Sequence, residues 1–111
     1  MRVSVVIPAF NGKRWIRAAV ESALNQIFIG SDGLPELFEV IVRDDGSTDG
    51  TLDALEDIQD HRLRIISDPE HLGLVASFQR AFDLATTQFI TVMGQDDLID
   101  PDYLSSVMKV F

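Results

Sequence analysis

Apolar residues fall into two alternating textures along the chain. Val3 to Ile7, Phe38 to Val42, Leu63 to Ile66 and Phe89 to Met93 are short, β-rich runs bounded by turn residues. Three of the four are almost continuously apolar, the pattern of parallel strands covered on both faces. Longer stretches with helical spacing separate them. Ile16, Val20, Ala23, Leu24 and Ile27 form one stripe, and Leu52, Leu55 and Ile58 a second. Leu74, Phe78, Ala81, Phe82 and Ala85 form a third. Asp100 followed by Pro101 predicts an N-cap with proline in the first helical position, and Leu104, Val107, Met108 and Phe111 make the fourth stripe.

The predicted order is β-α-β-α-β-α-β-α. Strands that alternate with helices imply right-handed crossovers and a mainly parallel sheet of about four strands with helices on both faces. The α/β class follows, in one domain over residues 1–111. No repeat or low-complexity tract interrupts it. Gly30 to Glu36 is a turn-rich connection to which no function attaches.

Ligands of such sheets bind outside the carboxyl ends of the strands. The residues there are Pro8-Ala9-Phe10-Asn11-Gly12, Arg43-Asp44-Asp45-Gly46-Ser47, Ser67-Asp68-Pro69 and Gly94-Gln95-Asp96-Asp97. Two of these segments carry adjacent carboxylates. Adjacent ionised aspartates repel each other and raise one pKa unless something compensates. The plain structural explanation is a turn at Asp44-Asp45-Gly46 and a helix cap at Asp96-Asp97. Both pairs at one edge of one sheet favour a ligand site over that explanation.

Charge sharpens the point. The chain carries 18 acidic and 9 basic residues, a net charge of −9, which disfavours nucleic acid and anionic membranes as partners. An acidic cleft also repels a diphosphate, unless a divalent cation stands between them. Mg2+ or Mn2+ on one or two carboxylates bridges phosphates while keeping some of its water. It neutralises charge on a departing diphosphate. There is no cysteine, hence no disulfide or thiolate site, and no apolar run approaches the roughly 20 residues of a membrane span. These features predict a soluble cytoplasmic chain. A Gly-x-x-x-x-Gly-Lys phosphate loop and a Gly-x-Gly-x-x-Gly turn are both absent. His61 and His71 make no ligand pair; His61 reads as solvated, and His71 lies just before the third stripe, within reach of the cleft.

Val3-Ser4-Val5-Val6-Ile7-Pro8-Ala9-Phe10-Asn11-Gly12 resembles the opening strand of family 2 glycosyltransferases. Glu39 through Thr51, with Arg43-Asp44-Asp45-Gly46-Ser47-Thr48-Asp49, resembles the family's second strand and acidic turn. Leu72-Gly73 with the following helix, and Phe89 to Asp97, resemble its later segments in order and spacing. The resemblance implies the Rossmann-like, nucleotide-sugar-binding half of a GT-A fold. By position it places Pro8, Ala9 and Asn11 under base and ribose. Asp44 or Asp45 would bind the base edge, with Asp44 favoured by its place at the strand end. Asp96 would contact ribose or a metal-bound water, and Asp97 would be the direct metal ligand. Arg80 lies where it could approach the diphosphate, although an exposed helical arginine is the simpler reading.

Three positions depart from the family pattern: Gly94 where a third aspartate is common, His71 where asparagine is common, and Arg43 where the residue is often apolar. The implied activity is inverting transfer of a sugar from a nucleotide-diphosphate donor to a saccharide or lipid-linked acceptor. Gln95-Asp96-Asp97 resembles transferases of surface-polysaccharide synthesis. The family's catalytic domain is about twice as long, so the general base is expected beyond Phe111, no catalytic base is assigned here, and this stretch alone is expected to be inactive. Such a half-domain would expose a sheet edge and self-associate. A non-catalytic nucleotide- or partner-binding module is the alternative. A phosphorelay receiver fits less well, because the first strand ends in Pro8-Ala9-Phe10-Asn11 and no fifth strand with a lysine follows.

Overall fold

The protein is described by a computed structural model over residues 2–68 and 71–109. Pro69 and Phe111, both used above, lie outside the described residues. Four strands, β1 (Val3–Ala9), β2 (Phe38–Asp45), β3 (Leu63–Asp68) and β4 (Phe89–Val92), form one sheet in the order β3-β2-β1-β4. All three pairings are parallel. The helices are α1 (Ile16–Leu24), α2 (Leu74–Leu84) and α3 (Tyr103–Met108). The α/β fold expected from the alternating textures is the observed one.

Side chains alternate across a strand, so each strand feeds two different layers. Val3, Val5 and Ile7 of β1 and Phe38, Val40 and Val42 of β2 pack with Ile16, Val20 and Ala23 of α1 in the main core, which Leu104 and Met108 of α3 extend. The opposite face is different. Its apolar cluster is small, built on Val6, Ile41 and Ala81. Ile66 and Ala85 pack against it, and the polar residues Ser4, Glu39, Arg43 and Asp45 on the same face are all buried. Buried charges need partners. Ser4 Oγ donates to Glu39 at 2.7 Å, and the Arg64 guanidinium lies 3.4 Å from Glu39. α2 is therefore seated on a layer of ion pairs more than on an oily surface.

Several expectations are adjusted by the structure. The second stripe forms only a 3-10 turn at Asp53–Leu55. Asp53 and Asp57, and Glu56 and Asp60, would meet as like charges one helical turn apart, and so short a helix is marginal. Arg17 instead draws in the Ala54 carbonyl at 3.0 Å and the Asp57 carboxylate at 2.5 Å. α1 ends at Leu24, so Ile27 of the first stripe is exposed and Phe28 is buried in its place. α3 starts at Tyr103, with Asp100-Pro101 in the preceding turn, where the Asp100 carbonyl accepts the Tyr103 N–H. Strands β1, β2 and β3 run past their apolar segments, so Asp44 and Asp45 belong to β2 itself. Gly30 to Glu36 closes as a small hairpin through an Ile29–Pro35 bridge. Among the described residues no helix is long and apolar enough to cross a membrane.

Candidate functional site

Going from β1 to β2 and β3 the chain moves one way across the sheet, and β4 then returns to the other side of β1. Loops that leave β1 and β4 therefore diverge at their carboxyl ends, which opens a crevice. A cleft of about 450 Å³ lies there. β1 supplies Pro8 and Ala9, Phe10 follows directly after it, the turn after β4 supplies Gly94, Gln95 and Asp96, and Asp45 of β2 lies across from them. His71, Ser77 and Phe78 close the α2 side.

Asp45 is buried but well served. Its Oδ1 accepts the Leu72 N–H at 2.7 Å, its Oδ2 accepts the Gly73 N–H at 2.9 Å, and His71 Nδ1 lies 2.7 Å from Oδ2. These amides are at the N-terminus of α2, where the helix dipole also favours a negative charge. Burial pushes the Asp45 carboxyl up, but the two amides and His71 together outweigh it and hold it below the usual carboxylate value. It is an acceptor-only group facing the cleft.

Behind Asp45 lies Arg43, wholly buried, with Nη2 2.7 Å from Asp68 Oδ2 and 3.7 Å from Asp45 Oδ1. The contact with Asp68 is close in distance yet not aligned as a hydrogen bond. The Arg43 Nη1 donates to the Asp44 carbonyl. Arg80 Nε stands 3.5 Å from the same Asp68 oxygen, so this helical arginine is engaged with β3.

Asp44 faces the other way. Its carboxylate accepts the Ser47 amide at 3.2 Å and the Ser47 hydroxyl. Ser47 Oγ also accepts the Asn11 N–H at 2.9 Å, while Asn11 Oδ1 accepts the Thr48 N–H at 2.9 Å. Asn11 has φ of 47°, a left-handed conformation that asparagine tolerates. Gly12 N–H donates to Thr51 Oγ1 at 3.0 Å. Asn11 and Asp44 thus stitch the turn after β1 to the turn after β2.

Of the residues expected at the site, Pro8, Ala9, Asp45 and Asp96 line the cleft, whereas Asn11, Asp44 and Asp97 stand beside it. Asp96 and Asp97 are both exposed. Asp97 Oδ2 accepts the Gly94 N–H at 2.8 Å and closes its own turn. A Cβ on Gly94 would come within 2.7 Å of that oxygen and 3.1 Å of Asp96 Oδ1, so the missing third carboxylate position is already crowded. Among the described residues no group of three or more His, Asp or Glu is arranged to hold a metal alone. The pair suits a hard cation that takes one or two carboxylates and completes its shell with ligand oxygens and water.

Phe10 and Gln95, from the strand-end segments, and Ser77 and Phe78 of α2 are cleft residues to which the sequence assigned no role at the site. Phe10 packs against His71 in a tilted arrangement, with ring centroids 4.2 Å apart. An aromatic residue two places after the strand-end proline was a usable signal. Ser77 and Phe78 gave none, since only the packing of α2 brings them to the strand ends.

Comparison with known proteins agrees with this fold. The family model described as glycosyl transferase family 2 matches residues 4–111. An uncharacterized glycosyltransferase of Haemophilus influenzae is 32% identical over 96% of this chain, which spans 31% of that protein. A chondroitin synthase of Pasteurella multocida is 33% identical over 98% of this chain and 11% of its own length. Among solved structures, S. aureus TarS 1-349 in complex with UDP-GlcNAc aligns with TM-score 0.83 at 27% identity, over 98% of this chain and 30% of that one. A Pyrobaculum calidifontis mannosyltransferase in complex with GDP-Man and Mn2+ aligns with TM-score 0.83 at 27% identity, over 97% and 31%. The chain spans a third or less of each of these proteins.

Proposed function

The chain belongs to glycosyl transferase family 2, and on that premise we propose that it is the donor-binding half of an inverting enzyme. The parent moves a sugar from a nucleotide-diphosphate donor to a saccharide or lipid-linked acceptor, in a cytoplasmic setting, as in polysaccharide synthesis. The observation that carries this reading is the cleft at the β1/β4 divergence, with ionised Asp45 on one side and Asp96 on the other.

Of the two aspartates open to the base, Asp45 is assigned to it, because Asp45 lines the cleft while Asp44 stands beside it. As a pure acceptor it selects a base edge that offers an N–H. Pro8, Ala9 and the Phe10 ring form an apolar wall for base and ribose. Asp96 and Asp97 hold Mg2+ or Mn2+, with Asp97 as the direct ligand. When bound, the cation offsets the charge of the diphosphate and of the leaving group. Inversion also requires a base that deprotonates the acceptor hydroxyl. No residue of this stretch is assigned that role, and the acceptor-side carboxylate is proposed to lie in the remainder of a longer parent. The stretch alone is then a binding unit without transfer activity.

The test is an NMR titration of the labelled chain with UDP, dTDP and GDP, with and without Mg2+ or Mn2+. Metal-dependent shifts or broadening centred on Ala9, Asp45, Asp96 and Asp97 support the reading and rank the bases. A folded chain that answers none of the nucleotides overturns it.

A further inference from the structure

Gln95 sits between Asp96 and the end of β4, and its side chain crosses to β1. Its Oε1 accepts the Phe10 N–H at 2.9 Å, and its Nε2 donates to the Phe10 carbonyl at 3.1 Å. A primary amide that uses both ends on one residue's backbone is a two-point clamp, with direction as well as distance fixed. The Phe10 backbone has no ladder partner to lose, since β1 ends at Ala9. Gly12 makes room for this: a Cβ there would stand 2.2 Å from Gln95 Oε1 and 2.5 Å from Cδ, and the three nearest atoms all belong to Gln95. Gly12 is also outside the left-handed region, unlike Gly46 or Gly50, so its backbone does not demand glycine. Its small size serves the amide of Gln95.

We propose that Gln95 is a positioning residue that locks the acidic turn carrying Asp96 and Asp97 to the Phe10 wall, and that Gly12 is glycine to admit it. The proposal rests on the donor-binding reading for its functional consequence. The two carboxylates are on an exposed turn held otherwise by the short Gly94–Asp97 contacts. Tying that turn to β1 fixes the distance between the cation and the nucleoside subsite. A donor spans both subsites, so a loosened turn loses the metal-dependent part of binding more than the part owed to base and ribose.

Two substitutions separate this from general damage. Gln95→Ala removes the clamp. Gly12→Ala leaves Gln95 in place but drives its amide off Phe10. Binding of UDP and GDP is measured by calorimetry in EDTA and in Mn2+. Partners one step removed from a metal ligand typically matter about 10- to 100-fold, so each variant is expected to lose about tenfold of the Mn2+-dependent gain, a larger loss than the same variant shows in EDTA. The double variant should be no worse than Gln95→Ala, because the alanine methyl then meets no amide. In the ligand-free protein, hydrogen exchange at the Phe10 amide should quicken in both single variants. Additive losses, an unchanged Mn2+ gain in Gln95→Ala, or an unmoved Phe10 amide would overturn the clamp. If the unaltered chain gains nothing from Mn2+ with either nucleotide, the donor-binding reading fails instead, and Phe10 exchange alone decides the clamp.

Discussion

His71 Nδ1 lies 2.7 Å from Asp45 Oδ2, and the same ring packs against Phe10 with centroids 4.2 Å apart, so one histidine joins the ionised floor of the cleft to its aromatic wall. The Asp45 carboxyl is held below its ordinary value, with the cost of burial outweighed by the Leu72 and Gly73 amides and by His71. A depressed carboxyl contributes stability that is full above the unfolded value of 3.8 and is lost as pH falls through the folded one. Carboxyl-carbon NMR should show Asp45 titrating below 3.8 in the intact chain. His71→Ala should move that midpoint upward while the two amide bonds remain. An Asp45 midpoint at or above the ordinary value in the intact chain would contradict this arrangement.

Asp60 offers a second, independent acid-range probe. Hydrogen bonding from Arg62 is the largest influence on its carboxyl and brings it down to about 2, against an opposing push from burial. The Arg62 side chain also donates to the Leu24 carbonyl at 2.9 Å, so the pair pins β3's approach to the end of α1. Asp60→Asn should lower the melting temperature at neutral pH. The difference from the parent should shrink as pH falls from about 4 toward about 2, the span between the unfolded and folded values. A pH-independent gap would sink this assignment.

Arg43 is a fully buried cation with Asp68 2.7 Å away, and a truncated partner leaves a charge uncompensated. Arg43→Ala is therefore expected to cost about 3 kcal/mol, read by urea denaturation. Asp68→Asn placed on top should cost less than it does alone, because the two act through one contact. Strict additivity would show that the pair does not interact across β2 and β3.

The sequence made the architecture readable because β1 and β2 are central, and central parallel strands announce themselves as continuous apolar runs. The edge strands β3 and β4 were readable through their turns and the rhythm of the helices between them. The two acidic pairs were readable as neighbours of one cleft by their place at the strand ends, and one aspartate of each pair, Asp45 and Asp96, lines it. What each aspartate does was not. Asp44 and Asp45 are neighbours in β2 and so point to opposite faces, and which face holds the cleft depends on where α2 packs. The clamp from Gln95 was also illegible, since a glutamine beside an acidic pair has no pattern until the turn after β1 is brought against it. The second stripe misled because its spacing was helical while its charges were not.

Asp97 and Asp96 should separate in a metal assay. Asp97→Asn keeps a side-chain oxygen for the Gly94 N–H but removes the charge proposed to hold the cation. It should abolish Mn2+-dependent broadening of the Gly94 to Asp97 amides with little change in melting temperature. Asp96→Asn, which lines the cleft, should weaken nucleotide binding in EDTA as well. Equal effects of the two substitutions in both conditions would remove the distinction between direct ligand and donor contact.

Self-association is the prediction most exposed to solution conditions. β4 stands at the edge of the sheet, and Ile90 and Val92 on it are about two-fifths exposed, with Leu98 beyond them more open still. Val75 and Phe82 on α2 add uncovered apolar surface nearby. An unprotected parallel edge beside such a surface is a template for another chain. Opposing this is the net charge of −9, which makes two copies repel at low ionic strength. Salt screens that repulsion, with a Debye length of about 10 Å at 0.1 M and about 3 Å at 1 M, and does not weaken apolar contact. Sedimentation equilibrium should accordingly show association that grows with both protein and salt concentration. Ile90→Lys, which places a charge on the edge at a residue outside the cleft lining, should suppress it. A species that stays monomeric at high protein and high salt would mean that this edge is protected in solution by something other than charge.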